Sequence, residues 1–120
     1  MQYLLDTNIC IYLIRQKPLS VLEKFRTMLP GEIGISMITV AELEYGVQKS
    51  LFVQKNQLAL QQFLTPFELF DFGNEATIEY GLIRSGLEKK GTLIGPLDTL
   101  IAAHAKSLNC ILVTNNAREF

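Results

Sequence analysis

Histidine, cysteine and aspartate are all scarce in this 120-residue chain: one histidine, His104, two cysteines, Cys10 and Cys110, and three aspartates, Asp6, Asp71 and Asp98. A single histidine rules against the metal-free ribonuclease chemistry in which one imidazole takes a proton while a second gives one. His104 and two thiols also fall short of the four nitrogen and sulfur ligands that structural zinc commonly takes. Two cysteines make no disulfide scaffold, so both are expected as buried thiols of a reducing cytosol. The longest apolar runs, such as Ile9 to Ile14, are far below the roughly 18 residues of a membrane span, and Asp6 sits where an export signal would be apolar. Missing too are a Gly-rich phosphate loop with its lysine and a GxGxxG after the first strand. There is no basic excess either: 11 Lys and Arg face 12 Asp and Glu, giving net −1. That balance counts against a nucleic-acid partner unless clustered carboxylates are neutralised by divalent cations, which leaves the remaining surface positive.

What is present is enough for a core. Hydrophobic residues make up 48% of the chain and charged ones 19%, which suits one globular domain over residues 1–120. Gln2 to Leu5 is β-prone and runs into Asp6-Thr7-Asn8, where Thr7 or Asn8 is suited to cap a helix carrying Ile9, Leu13 and Ile14. Lys17-Pro18 breaks that helix, and a second, with Leu22, Phe25 and Leu29 at helical spacing, ends at Pro30-Gly31. Ile33 to Met37 reads as a strand, Thr39 to Lys49 as a helix, Leu51 to Leu64 as another, and Phe67 to Phe72 as a third strand. A long helix follows Gly73-Asn74 with Ala76, Tyr80, Ile83 and Leu87 as its stripe, and Gly91 closes it. Pro96 opens a last helix to about Ser107, before a final strand from Cys110 to Thr114. Strands alternating with helices predict a three-layer α/β/α domain whose central parallel sheet has four or five strands joined by right-handed crossovers.

In such sheets ligands bind beyond the carboxyl ends of the strands. Asp6 ends the first strand, Glu42 lies in the helix after the second, Asp98 begins the helix leading to the last, and Asn115, Asn116 and Glu119 follow that last strand. Glu42 and Glu44 fall on roughly opposite sides of their helix; Glu42 shares its side with Tyr45 and Gly46, while Glu44 is expected in solvent. His104 shares the stripe of Leu97, Ile101 and Leu108, which also includes Leu100, and is expected in or near the core, with Asp98 at the stripe's border. Taken singly, each acid has an ordinary structural use as a cap, a first-turn charge or a surface charge. Gathered in one cleft they repel unless a cation sits among them, and hard oxygen ligands favour Mg²⁺ or Mn²⁺. Such ions activate water and stabilise the leaving oxygen of an in-line displacement, which is phosphodiester hydrolysis.

The segments LLDTNI at 4–9, SMITVAELEYG at 36–46, IGPLDTLIAAHA at 94–105 and LVTNNAREF at 112–120 resemble the four acidic motifs of the PIN-domain ribonucleases, most closely the VapC toxins of bacterial type II toxin–antitoxin pairs. The resemblance runs along essentially the whole chain. It implies an endoribonuclease whose Mg²⁺ or Mn²⁺ is held by Asp6, Glu42, Asp98 and an acid of the last motif, with Thr7, Asn8, Thr114 and Asn116 as supporting polar groups. Where many relatives carry an aspartate two residues after the motif threonine, this chain has Asn116, so Glu119 or Asn116 completes the set. The resemblance further implies a cytoplasmic homodimer, held by an antitoxin whose C-terminal segment obstructs the site, and its VTNNxREF ending resembles the subgroup that acts on initiator tRNA. Relatives tend to continue beyond the position of Phe120, so a short C-terminal edge segment is expected to be missing. Two other readings differ in class: a nuclease-inactive module that binds RNA or antitoxin, and a Mg²⁺-binding phosphoacceptor domain. The latter wants paired acids after the first strand and a lysine after the last, where this chain has Asp6 alone and Asn115-Asn116.

Overall fold

The computed structural model describes residues 2–17 and 19–114. In chain order the elements are β1 (Tyr3–Leu5), α1 (Thr7–Arg15), α2 (Leu19–Phe25), a 3₁₀ turn (Pro30–Glu32), β2 (Ile33–Ser36), α3 (Met37–Gln48), α4 (Val53–Leu64), β3 (Glu68–Phe70), α5 (Asn74–Lys90), α6 (Pro96–Ser107) and β4 (Ile111–Val113). The four strands pair in the order β3-β2-β1-β4, all parallel, with Tyr3 opposite both Ile33 and Ile111, and Ile35 opposite Leu69. Each strand is one to three residues shorter than its apolar run suggests. β1 stops at Asp6, which caps α1, and Ser36 at the end of β2 caps α3.

Successive strand residues face opposite sides of the sheet, and the two central leucines of β1 show the consequence. Leu5 packs into a core with Ile9, Cys10 and Leu13 of α1, Val40, Leu43 and Val47 of α3, and Leu60 of α4. Leu4 faces the other side, against Ile101 and Ala105 of α6, with Leu108, Cys110 and Leu112 around them. This is the expected three-layer arrangement. α5 packs on α6, its predicted stripe buried at Ala76 and half-buried at Tyr80, Ile83 and Leu87, while Ile78 and Leu82 stand in solvent. Gly91 ends α5 in the left-handed region (φ 69°), donating its N–H to Glu88 and Leu87 carbonyls, a conformation that disfavours a side chain. Among the described residues no helix is long and apolar enough to cross a membrane.

Three local expectations are corrected. α2 stops at Phe25 instead of reaching Pro30-Gly31, because the chain leaves the helix in turns and is extended again at Leu29, which is 66% exposed. Asp6, rather than Thr7 or Asn8, caps α1, because the chain leaves β1 still extended (ψ 173°) and turns helical only at the next residue. Helix α3 starts earlier than Thr39, at Met37, because Ser36 caps it directly at the end of β2.

The fully buried Ile35 touches the core on a strand paired on both sides, so truncation leaves a cavity with no route to collapse. Ile35→Ala is expected to cost about 2–5 kcal/mol and to lower the urea midpoint accordingly. Leu69→Ala, on the edge strand β3 and already 41% exposed, is expected to cost less than about 1 kcal/mol.

Candidate active site

β1 lies between β2 and β4, and the chain steps outward from β1 through β2 to β3 before returning to the opposite side for β4. The strand order therefore reverses between β1 and β4, and a crevice opens beyond their carboxyl ends. Asp6 occupies that point. Its backbone N–H donates to the Val113 carbonyl at 3.1 Å. Its carboxylate is held from both sides: Oδ1 accepts the Ile9 N–H at 2.8 Å, and Oδ2 accepts the Thr114 hydroxyl. The group is 2% exposed, and each oxygen keeps acceptor capacity beyond the one bond shown.

The crevice widens into a cleft of about 360 Å³ whose wall is formed by Asp6, Thr7, Asn8, Glu42, Gly95, Pro96, Leu97, Asp98 and Ile101. Three acids from three separate stretches of chain thus share one concavity, as their positions at strand ends predict. Glu42 and Asp98 are both half-buried, and Glu44 is exposed. Asp98 sits in the first turn of α6, where the helix dipole favours a negative charge. The Thr7 hydroxyl oxygen is buried at the start of α1 without a hydrogen-bond partner. Among the described residues no three Asp, Glu, His or Cys side chains form a cluster already closed around a single ion. Glu119 and Asn116, the candidates for the fourth contact, lie outside the described residues.

The donors on this wall are carboxylates, a hydroxyl and an amide, a set that fits a hard divalent cation. Softer ligands are elsewhere. Cys10 is buried in the core on the α1 side, and burial together with the negative charge of Asp6 pushes its thiol far up, so it stays protonated. His104 is buried as expected, its pKa lowered by desolvation against a smaller opposing pull from Asp71. Its stripe is corrected at Leu97, which is 42% exposed and lines the cleft instead, while Leu100 and Leu108 are only half-buried. Helical periodicity places Leu97 in the core; the first turn of α6 instead forms part of the cleft wall, so its leucine meets the crevice.

A second hollow of about 390 Å³ adjoins the first and shares Thr7 and Glu42 with it. It runs between α1, α3 and α4 over Ile11, Ile14, Leu43, Val47 and Leu60, with Arg15, Tyr45 and Lys49 also in its lining. The Lys49 ammonium stands 5.0 Å from the Tyr45 ring centroid. Tyr45 and Gly46 do lie on the side of α3 that carries Glu42. In the sequence Lys49 could contact phosphate but looks like one of several scattered surface lysines, and Arg15 carries no signal of its own.

The family model for the PIN domain matches residues 3–120. Over its full length the chain is 46% identical to ribonuclease VapC2 of Rickettsia felis, covering 90% of that protein. It is 41% identical, again over its full length and 90% of the relative, to the tRNA(fMet)-specific endonuclease VapC of Shigella flexneri. Of solved structures, the DNA-bound VapBC complex of Salmonella typhimurium contains a chain that superposes with a TM-score of 0.93 at 42% identity, over 100% of this chain and 90% of that one. With likeness of this degree from end to end, the chain belongs to the PIN-domain family and, within it, to the VapC ribonucleases.

Proposed function

We propose that this chain is the toxin of a type II toxin–antitoxin pair and that its acid cleft hydrolyses RNA, with initiator tRNA as the substrate and Mg²⁺ or Mn²⁺ as the cofactor. The observation that carries this reading is the meeting of Asp6, Glu42 and Asp98 at the point where the strand order reverses. When bound, the divalent ion supplies Lewis-acid charge to the phosphate and lowers the pKa of a water. Asp6 is the fixed member of the set, its carboxylate aimed by Ile9 and Thr114. Glu42 and Asp98 approach from α3 and α6, Thr7 and Asn8 line the floor beside Asp6, and Glu119 or Asn116 completes the set from the last motif. Water attacks phosphorus in line, the bond to the 3′-oxygen breaks, and the proton passes to that oxygen.

The choice of initiator tRNA is supported by the VTNNxREF ending and by relatives named for that activity. An antitoxin partner is supported by the VapBC complexes in which similar chains were solved. The apolar hollow beside the cleft gives such a partner a surface whose occupation would also cover Glu42. A homodimer in the cytoplasm completes the reading, on the family's pattern and the two free thiols.

Purified protein in Mg²⁺ is expected to cut end-labelled initiator tRNA at a single position, to spare elongator tRNAs, and to lose activity when its cognate antitoxin is added. Binding of the antitoxin with no cleavage of any RNA in either ion would overturn the enzyme in favour of a binding module.

A further inference from the structure

His104 is the one histidine of the chain, and the cleft does not use it. It is nevertheless almost completely buried in α6, and its Nδ1 lies 2.7 Å from the Oγ of Ser36, 68 residues away in sequence. Ser36 is itself fully buried and ends β2; the same Oγ accepts the Ile38 N–H at 3.0 Å and so caps α3. That oxygen has a second lone pair and its own hydrogen, so it can meet Nδ1 as acceptor or as donor according to the imidazole tautomer, while Nε2 is buried with no hydrogen-bond partner among the described residues. Desolvation lowers the His104 pKa and favours the neutral ring, and the Phe72 ring packs against the imidazole edge-on at a centroid distance of 5.3 Å.

The two helices joined by this bond are the ones that carry the other two acids of the cleft. Ser36 opens α3, which bears Glu42; α6 bears both Asp98 and His104. Each acid and its end of the link are on one rigid helix, so the Ser36–His104 bond sets how far along and how close α3 and α6 stand. We propose that His104 is a positioning residue which, through Ser36, fixes the separation of Glu42 and Asp98 and thereby the affinity of the cleft for its divalent ion. The inference rests on the metal-nuclease reading above.

The test is Mn²⁺ binding by the purified protein, followed by titration, alongside RNA cleavage and thermal unfolding. His104→Phe keeps the bulk but removes the nitrogen that bonds Ser36. At a temperature where it is fully folded it is expected to bind Mn²⁺ about 10-fold more weakly and to lose kcat with KM for RNA unchanged, the size usual for groups that orient ligands from behind. His104→Asn, whose side-chain amide can bond Ser36 Oγ in place of Nδ1 as donor or acceptor, is expected to restore Mn²⁺ affinity to within about threefold of the original. Ser36→Ala is expected to weaken Mn²⁺ binding as His104→Phe does, and the double variant to be no worse than either. It carries the same test should His104→Phe not fold. Variants that melt earlier but bind Mn²⁺ as the parent does would overturn the inference, leaving a merely structural bond. Parent protein that binds no Mn²⁺ and cuts no RNA would instead overturn the reading on which it rests.

Discussion

Asp6→Asn is expected to abolish most RNA cleavage, by at least about 100-fold, while the protein still folds. Asparagine caps helices as well as aspartate does, so the bond from the Ile9 N–H to Oδ1 survives. The amide nitrogen that replaces Oδ2 meets the Thr114 hydroxyl, which needs only to rotate from donating to accepting. The stability change is therefore expected to stay within about 1 kcal/mol. What disappears is a negative charge on the cleft wall and, on the proposed reading, an oxygen ligand for the ion. Asp98→Asn and Glu42→Gln should follow in direction. Glu44→Gln is the control: it lies on the same helix as Glu42 but in solvent, and cleavage should be unaltered. Initial rates on labelled RNA, with circular dichroism and unfolding curves for each variant, check the set. Full activity in Asp6→Asn would remove the cleft from the chemistry.

The second large effect concerns the ion and the products. Chelation with EDTA is expected to stop cleavage completely, and Mg²⁺ or Mn²⁺ to restore it. The fragments should carry a 5′-phosphate and a 3′-hydroxyl, because water, rather than the RNA's own 2′-hydroxyl, attacks phosphorus. The position of His104 supports the same outcome. Buried, bonded to Ser36 and outside the cleft wall, it is in no place to take a proton from a 2′-hydroxyl. End-group analysis showing a 2′,3′-cyclic phosphate, or undiminished cleavage in EDTA, would refute the mechanism.

Much of this molecule was decided by residues near one another in the chain. Alternation of short apolar runs with helical stripes dictates the α/β/α layering, since a strand or helix buries its apolar face with a period carried by its own sequence. The same local geometry separates Glu42 from Glu44, and the placing of Asp6, Glu42 and Asp98 beside strand ends follows from where the runs stop. Periodicity is silent about strand order. That β4 returns to pair with β1, putting Thr114 against Asp6 and opening the crevice there, depends on which edges meet, and that is settled by the packing of both faces together. Leu97 shows the limit from another side, since a helix stripe records what is apolar, whereas exposure depends on what the fold brings opposite it, here the open cleft. His104 and Ser36 show it most plainly. Each looks like an ordinary core or cap residue in its own segment, and only the closing of β2 and α6 onto one another makes them partners across 68 residues. Periods and caps are properties of neighbours in the chain, and the sequence by itself determined those. Register between distant elements, and with it the shape of the cleft, comes from the balance of burial over the whole core, which only the tertiary structure decided.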